Sequence, residues 1–136
     1  MANDIGISLQ THLVAQSGVN AICADRGHPD NLPKDCLLPA FTYEVISEQP
    51  HHHLGGTSGL REARIQFDCY AATRKQANEL DEAILAALDM QRATLGGTYC
   101  NTVQAQDRIS GTDPPIDASD QWRYIAIRDY LIFYIP

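Results

Sequence analysis

Three adjacent histidines, His51-His52-His53, are the first residues in this chain to suggest chemistry, because imidazole is a common metal ligand. Neighbouring side chains on an extended chain point to opposite sides, so only His51 and His53 can share an ion. Zinc needs at least about three protein ligands, and the other histidines, His12 and His28, lie in unrelated segments. The run therefore reads as a solvated turn, not a metal site. Gly55-Gly56-Thr57-Ser58-Gly59 follows it and is glycine-rich. It lacks the lysine of a phosphate-binding loop and leads into a strand where such a loop needs a helix. It reads as a flexible hairpin tip, which in an assembly protein inserts between partners or lines a channel. The acids best placed for proton transfer, Glu44, Glu62 and Asp68, all fall on the outward side of alternating strands, so they are not a buried pair with separated pKa values. No serine stands in a Gly-x-Ser-x-Gly elbow, and no cysteine has a histidine partner in sequence. Cys23, Cys36, Cys69 and Cys100 contain no Cys-x-x-Cys pair and read as small apolar core residues. No catalytic, cofactor-binding or metal-binding residue is expected, and the chain is not expected to be an enzyme.

The elements that position these residues follow from periodicity. Residues 4–17 read as a helix, with Ile5, Leu9 and Leu13 at helical spacing, a cap at Asn3 or Asp4, and Gly18 as its stop. Residues 19–25 read as an edge strand, and the prolines at 29, 33 and 39 make 26–39 a loop. Phe41, Tyr43 and Val45 alternate as a strand, and 49–59 reads as a long turn. From Leu60, Ala63, Ile65, Phe67 and Cys69 point one way while Glu62, Arg64, Gln66 and Asp68 point the other. Thr73-Arg74-Lys75-Gln76 matches a capping box opening a helix to about Met90. Gly96-Gly97 breaks the pattern before a weaker strand to about Ile109, and a polar loop holds Pro114-Pro115. In the last strand, 121–135, Ile125, Ile127, Leu131, Phe133 and Ile135 share one face. Trp122, Tyr124, Arg128, Tyr130 and Tyr134 share the other. With apolar bulk on both faces, a second layer or a neighbouring subunit must cover the aromatic side. The expected fold is one α+β domain over residues 1–136, an antiparallel β-sheet with two α-helices packed on one face and a long β-hairpin loop.

The chain has 136 residues, 44% of them hydrophobic and 20% charged, which fits one globular domain. Ten basic against seventeen acidic residues give a formal net charge of −7, which argues against gripping nucleic acid. It does not argue against standing beside DNA that must slide past. No apolar run is long enough to span a membrane, and the first residues lack a signal-peptide pattern, so folding in the cytoplasm of the producing cell is expected.

The stretch from Leu54 to Thr73, LGGTSGLREARIQFDCYAAT, resembles the tail-completion proteins encoded in phage and prophage structural operons. The likeness continues through Gln76-Ala77-Asn78-Glu79-Leu80 and upstream through a helix, a proline-bearing loop and Leu38-Pro39-Ala40-Phe41-Thr42-Tyr43. The histidine run departs from the polar turn usual there. The resemblance implies a structural virion protein of the tail and neck, a homo-oligomer forming a hexameric ring at the head-proximal end of the tail. Such a ring ends tail-tube polymerisation and meets a neck or head-closure protein. It binds no membrane and no specific nucleic acid, although DNA passes through its lumen. The alternative is a head-side connector, a stopper or minor capsid subunit, of the same neck. A small hydrolase or metal-binding module is the remaining rival. The expected assembly contacts are Gly55, Gly56, Thr57, Ser58 and Gly59 at the hairpin tip, Trp122, Tyr124, Tyr130 and Tyr134 on the last strand, and the loop around Pro114.

Overall fold

The computed structural model describes residues 4–34, 36–53, 56–115 and 122–136, with 51–53 and 56–58 described as backbone alone. Helix α1 spans Ile5–Ala15, and its cap is Asp4, whose carboxylate accepts from the Ile7 N–H at 3.2 Å. That bond satisfies one of the donors left open at a helix start. Ile5, Leu9 and Leu13 recur every fourth residue and are fully buried. The helix ends one step earlier than expected, at Gln16, whose backbone is extended. A second helix, α2, then runs Ser17–Cys23 where an edge strand was expected. Val19, Ile22 and Cys23 fall on one helical face, and the segment packs against the later helix. Gly18 therefore opens a helix and does not close one.

The remaining elements are β1 (Gly27–Pro29), β2 (Ala40–His53), β3 (Gly56–Ala71), α3 (Arg74–Leu88), β4 (Ala93–Leu95), β5 (Thr98–Asp113) and β6 (Arg123–Ile135). The strands form one six-stranded sheet in the order β1-β2-β3-β6-β5-β4. The sheet is not purely antiparallel, because β1 pairs with β2 in parallel, Gly27 opposite Phe41. The described residues also hold three helices, one more than expected, within an α+β architecture. The expected turn 49–59 is mostly strand: β2 and β3 stay paired as far as His53 opposite Gly56.

The core lies between the helices and one face of the sheet. Phe67 is central, 6.1 Å from Phe41, 6.3 Å from Tyr43 and edge-on to Tyr130 at 5.5 Å between ring centroids. Each such aromatic pair contributes about 0.5–1.5 kcal/mol beyond its buried area.

Helix α1 reaches both edges of the sheet. Gln10 donates to the Gly27 carbonyl on β1 at 2.6 Å and accepts from the Tyr43 hydroxyl on β2 at 2.7 Å. Ser8, two residues away and so on the opposite side of the helix, shares a buried 2.7 Å bond with Thr98 on β5. Laid flat, six strands would span about 24 Å between edges. Gly27 on edge strand β1 and Thr98 on β5, next to edge strand β4, bond to neighbouring residues of one helix, so the sheet curls round α1. Gly96, at φ 57°, makes the closest approach: a Cβ there would lie 1.8 Å from the Ser8 carbonyl oxygen.

Helix α3 begins as its sequence predicts, with the Thr73 hydroxyl accepting from the Gln76 N–H at 3.2 Å. Arg74 ties it to the sheet by donating to the carbonyls of Ile125 and Gly111, each at 2.8 Å, and its guanidinium lies 5.3 Å from the Tyr124 ring centre.

Candidate assembly interface

The residues that suggested chemistry do not converge. Glu44 is exposed and Asp68 half-buried on the outward side of β2 and β3. Burial pushes the Asp68 carboxyl above its ordinary value; Gln66 opposes this with a hydrogen bond, and the charges of Glu44 and Asp129 add to it. Glu62 accepts from Gln49 at 2.8 Å. Cys23, Cys69 and Cys100 are buried, and Cys36 is half-buried near His28, 3.8 Å from its Nε2. Among the described residues, no three His, Cys, Asp or Glu side chains gather closely enough to hold a metal ion. Gly55 and Leu54 lie outside the described residues, as do the side chains of His51, His52, His53, Thr57 and Ser58.

Strand β6 has the two faces expected, and of the two covers expected for the aromatic face it is a second layer of the same chain that is present. Tyr130 and Tyr134 point into the chain's own core, 0% and 1% exposed, beside Ala126 and Ile132. The helices supply the second layer, so neither tyrosine belongs to a surface. Burial raises both phenols: Tyr130 well above its ordinary value, and Tyr134, which also donates to Glu48 at 2.9 Å, to about 12. Tyr124 is half-buried under Arg74, while Trp122 is half exposed at the foot of β6.

The aliphatic face is the outward one. Ile127 stands between Asp68 on β3 and Ile109 on β5, and Ile125 between Tyr70 and Gly111. Ile109 is 63% exposed, and Ile135 and Tyr99 extend the apolar surface to the other end of the sheet. Arg64 crosses its middle and meets Asp129 at 3.0 Å, so that pair leaves no net charge there. At the foot, Arg123 pairs with Asp113 and lies 5.9 Å from the Tyr70 ring centre. Ile125 and Ile127 were legible as one face of the strand; Ile109, at the end of a weak pattern, gave no sign of joining them.

A second feature is the β2–β3 arm. Pairing between β3 and β6 ends at Arg61 opposite Tyr134, yet β2 and β3 continue beyond it as a two-stranded ribbon. An isolated ribbon of two strands is marginal in water. Gly59, at φ 84°, lies within this arm.

The described chain is thus a curled sheet with an uncovered aliphatic back and a two-stranded arm. The chain belongs to the tail completion protein gp17 family, whose pattern matches residues 7–116. It is therefore a structural protein of a phage-type tail, located in the virion. Among solved structures, a chain of the virion of a native gene transfer agent particle has a similar fold, with TM-score 0.65 and 13% sequence identity. The match covers 96% of this chain and 94% of that one. No curated protein matches. No helix among the described residues is long and apolar enough to cross a membrane.

Proposed function

We propose that the chain is the subunit of a ring, a hexamer by family likeness, that caps the head-proximal end of the tail tube and presents a surface to the neck. The observation that carries this is the outward aliphatic face of β5 and β6, because no segment of the described chain covers it. Burying one isoleucine side chain contributes roughly 1.5–3 kcal/mol, so Ile109, Ile125 and Ile127 together could hold a tube subunit. Capping is steric: the ring takes the place of the next tube layer and offers no further surface of the same kind. The arm, with Gly56 to Gly59 on its β3 side, and Trp122 at the foot of β6 are the further contacts, one side serving the tube and the other the neck protein. Six copies at −7 each would carry about −42, which suits a passage that DNA crosses without being gripped.

Reconstruction of the neck tests this. The chain should lie between tube and neck proteins, and the baseplate or the capsid shell would be the wrong place. In solution, adding the chain to polymerising tube protein should shorten the tubes; an unchanged length distribution at equal molar ratio would count against capping.

A further inference from the structure

We propose that copies of this chain join head to tail through two small surfaces at opposite edges of the sheet. Met90 and Arg92 of one copy meet Ile46, with Glu44, of the next. This rests on the ring reading above and names its contact.

Met90 follows α3 and is 77% exposed, with φ at 59°, a conformation that costs a non-glycine residue energy. The turn is held there from both sides. The Met90 N–H donates to the Val103 carbonyl at 3.0 Å, and the Asp89 carboxylate accepts from the Ala105 N–H at 3.2 Å. Asp89 is thus engaged with β5, while exposed Arg92 makes no ion pair among the described residues. A solvent-facing methionine beside an unpaired arginine is the result.

The opposite edge carries the complement. Ile46 is 47% exposed at the bulge where β2 skips between Val45 and Ser47. Glu44, exposed, stands two residues before it on the outward side, while Glu48, past the bulge, lies opposite buried Ala63 and accepts from Tyr134. Strand β1 covers β2 only from Phe41 to Tyr43, so among the described residues no strand lies outside β2 at this level.

The two surfaces also lie on the same rows of the sheet. One row runs Glu48, Ala63, Ile132, Val103, and another runs Val45, Ile65, Tyr130, Ala105. Met90 and Asp89 are bonded to the far ends of these rows. In the proposed contact the two ends of these rows meet between neighbouring copies. A head-to-tail relation closes a ring when the rotation between copies closes, and otherwise grows a filament. Two β2 edges facing each other would oppose their Glu44 carboxylates, so charge favours the head-to-tail arrangement over a two-fold pair.

Native mass measurements on the full chain at up to millimolar concentration test the contact. Asparagine tolerates the left-handed backbone better than methionine, so Met90→Asn combined with Arg92→Glu should melt no lower than the parent. It should nevertheless raise the concentration needed for ring assembly at least about tenfold. Ile46→Asp should do the same. Mixing these two proteins leaves one intact contact per pair and should give dimers that grow no further. Rings unaffected by either change would overturn the contact and leave the ring reading standing. Loss of assembly with Ile46→Asp alone would mean a two-fold pair and overturn it too. A parent chain that stays monomeric throughout would also overturn it, and the neck reconstruction would then decide the ring reading separately.

Discussion

Asp81 and Arg128 face each other with both carboxylate oxygens engaged, Nε to Oδ1 at 3.1 Å and Nη2 to Oδ2 at 2.8 Å. The pair joins α3 to β6 under the bulge of β5, where Arg128 also donates to the Gln106 carbonyl at 2.8 Å. Arg108 adds a longer contact to Asp81 at 3.4 Å and bridges to Glu82 at 2.9 Å. The hydrogen bonds that Arg128 donates to Asp81 hold its guanidinium above its ordinary pKa.

Removing one partner of such a pair leaves a desolvated charge, which costs about 3–5 kcal/mol. Asp81→Ala should therefore lower the unfolding free energy by that order, measured by denaturant titration. Replacing Asp81 and Arg128 together with apolar residues should cost clearly less than the sum of the two single changes. Equal additivity would mean that the two side chains do not act as a pair.

Gly96→Ala tests the docking of α1. The added methyl meets the backbone of Ser8, which has no side-chain freedom with which to yield, and the left-handed backbone disfavours alanine as well. A loss above about 2 kcal/mol is expected, in the range of severe backbone clashes. Gly18→Ala, which meets nothing within 4 Å, should be neutral or slightly stabilising by comparison.

Much of this architecture was legible in the residues. Alternation in β3 and β6 and the Thr73 cap give the central strands and α3 almost as found. The faces of β6 were separable too, but alternation cannot say which side faces a layer. Tyr130 and Tyr134 look like surface anchors until the helices are placed over them. Helix α2 escaped because Gly18 is an ordinary stop signal and seven residues carry too little periodicity. Strands β1 and β4 have three residues each and exist only through pairing with β2 and β5. The exposed edge at Met90 depends on long-range register, which no local pattern records.

Burial raises the Asp68 carboxyl above its ordinary value of 3.8. A carboxyl whose folded pKa is raised favours the folded state fully below 3.8, and that contribution is lost as pH rises through the folded value. At neutral pH the charge is therefore a penalty, and Asp68→Asn should stabilise the fold. The advantage should shrink on acidification, as thermal melts across pH 3 to 7 would reveal. A gain independent of pH would assign it to packing.

The thiols separate by burial. Cys23 and Cys100 are pushed up to about 11, in both cases mainly by desolvation, and Cys69 is fully buried. A reagent needs access to the sulfur, and of the four, Cys36 alone is half-buried. Cys36 should label rapidly in the native protein, and the other three should label only on unfolding. Above pH 9, ionisation of Cys23 and Cys100 in the unfolded chain should begin to erode stability. Rapid labelling of Cys69 would show that the core opens on its own.

The inward placing of the β6 tyrosines has an experimental signature. Tyr130→Ala removes a ring packed edge-on to Phe67 and should cost about 3–5 kcal/mol, as large aromatic truncations in cores do. Any effect on tail assembly should then scale with the amount of folded protein. Ile109→Asp changes a side chain that is 63% exposed, so stability should move by no more than about 0.5 kcal/mol. Its effect should fall on capping: the chain stays folded while tubes polymerised in its presence grow as long as those without it. If Ile109→Asp and Ile127→Asp both left tube shortening intact in a folded protein, the aliphatic face would not be where the tube docks. The contact would then have to lie on the arm or at the foot of β6.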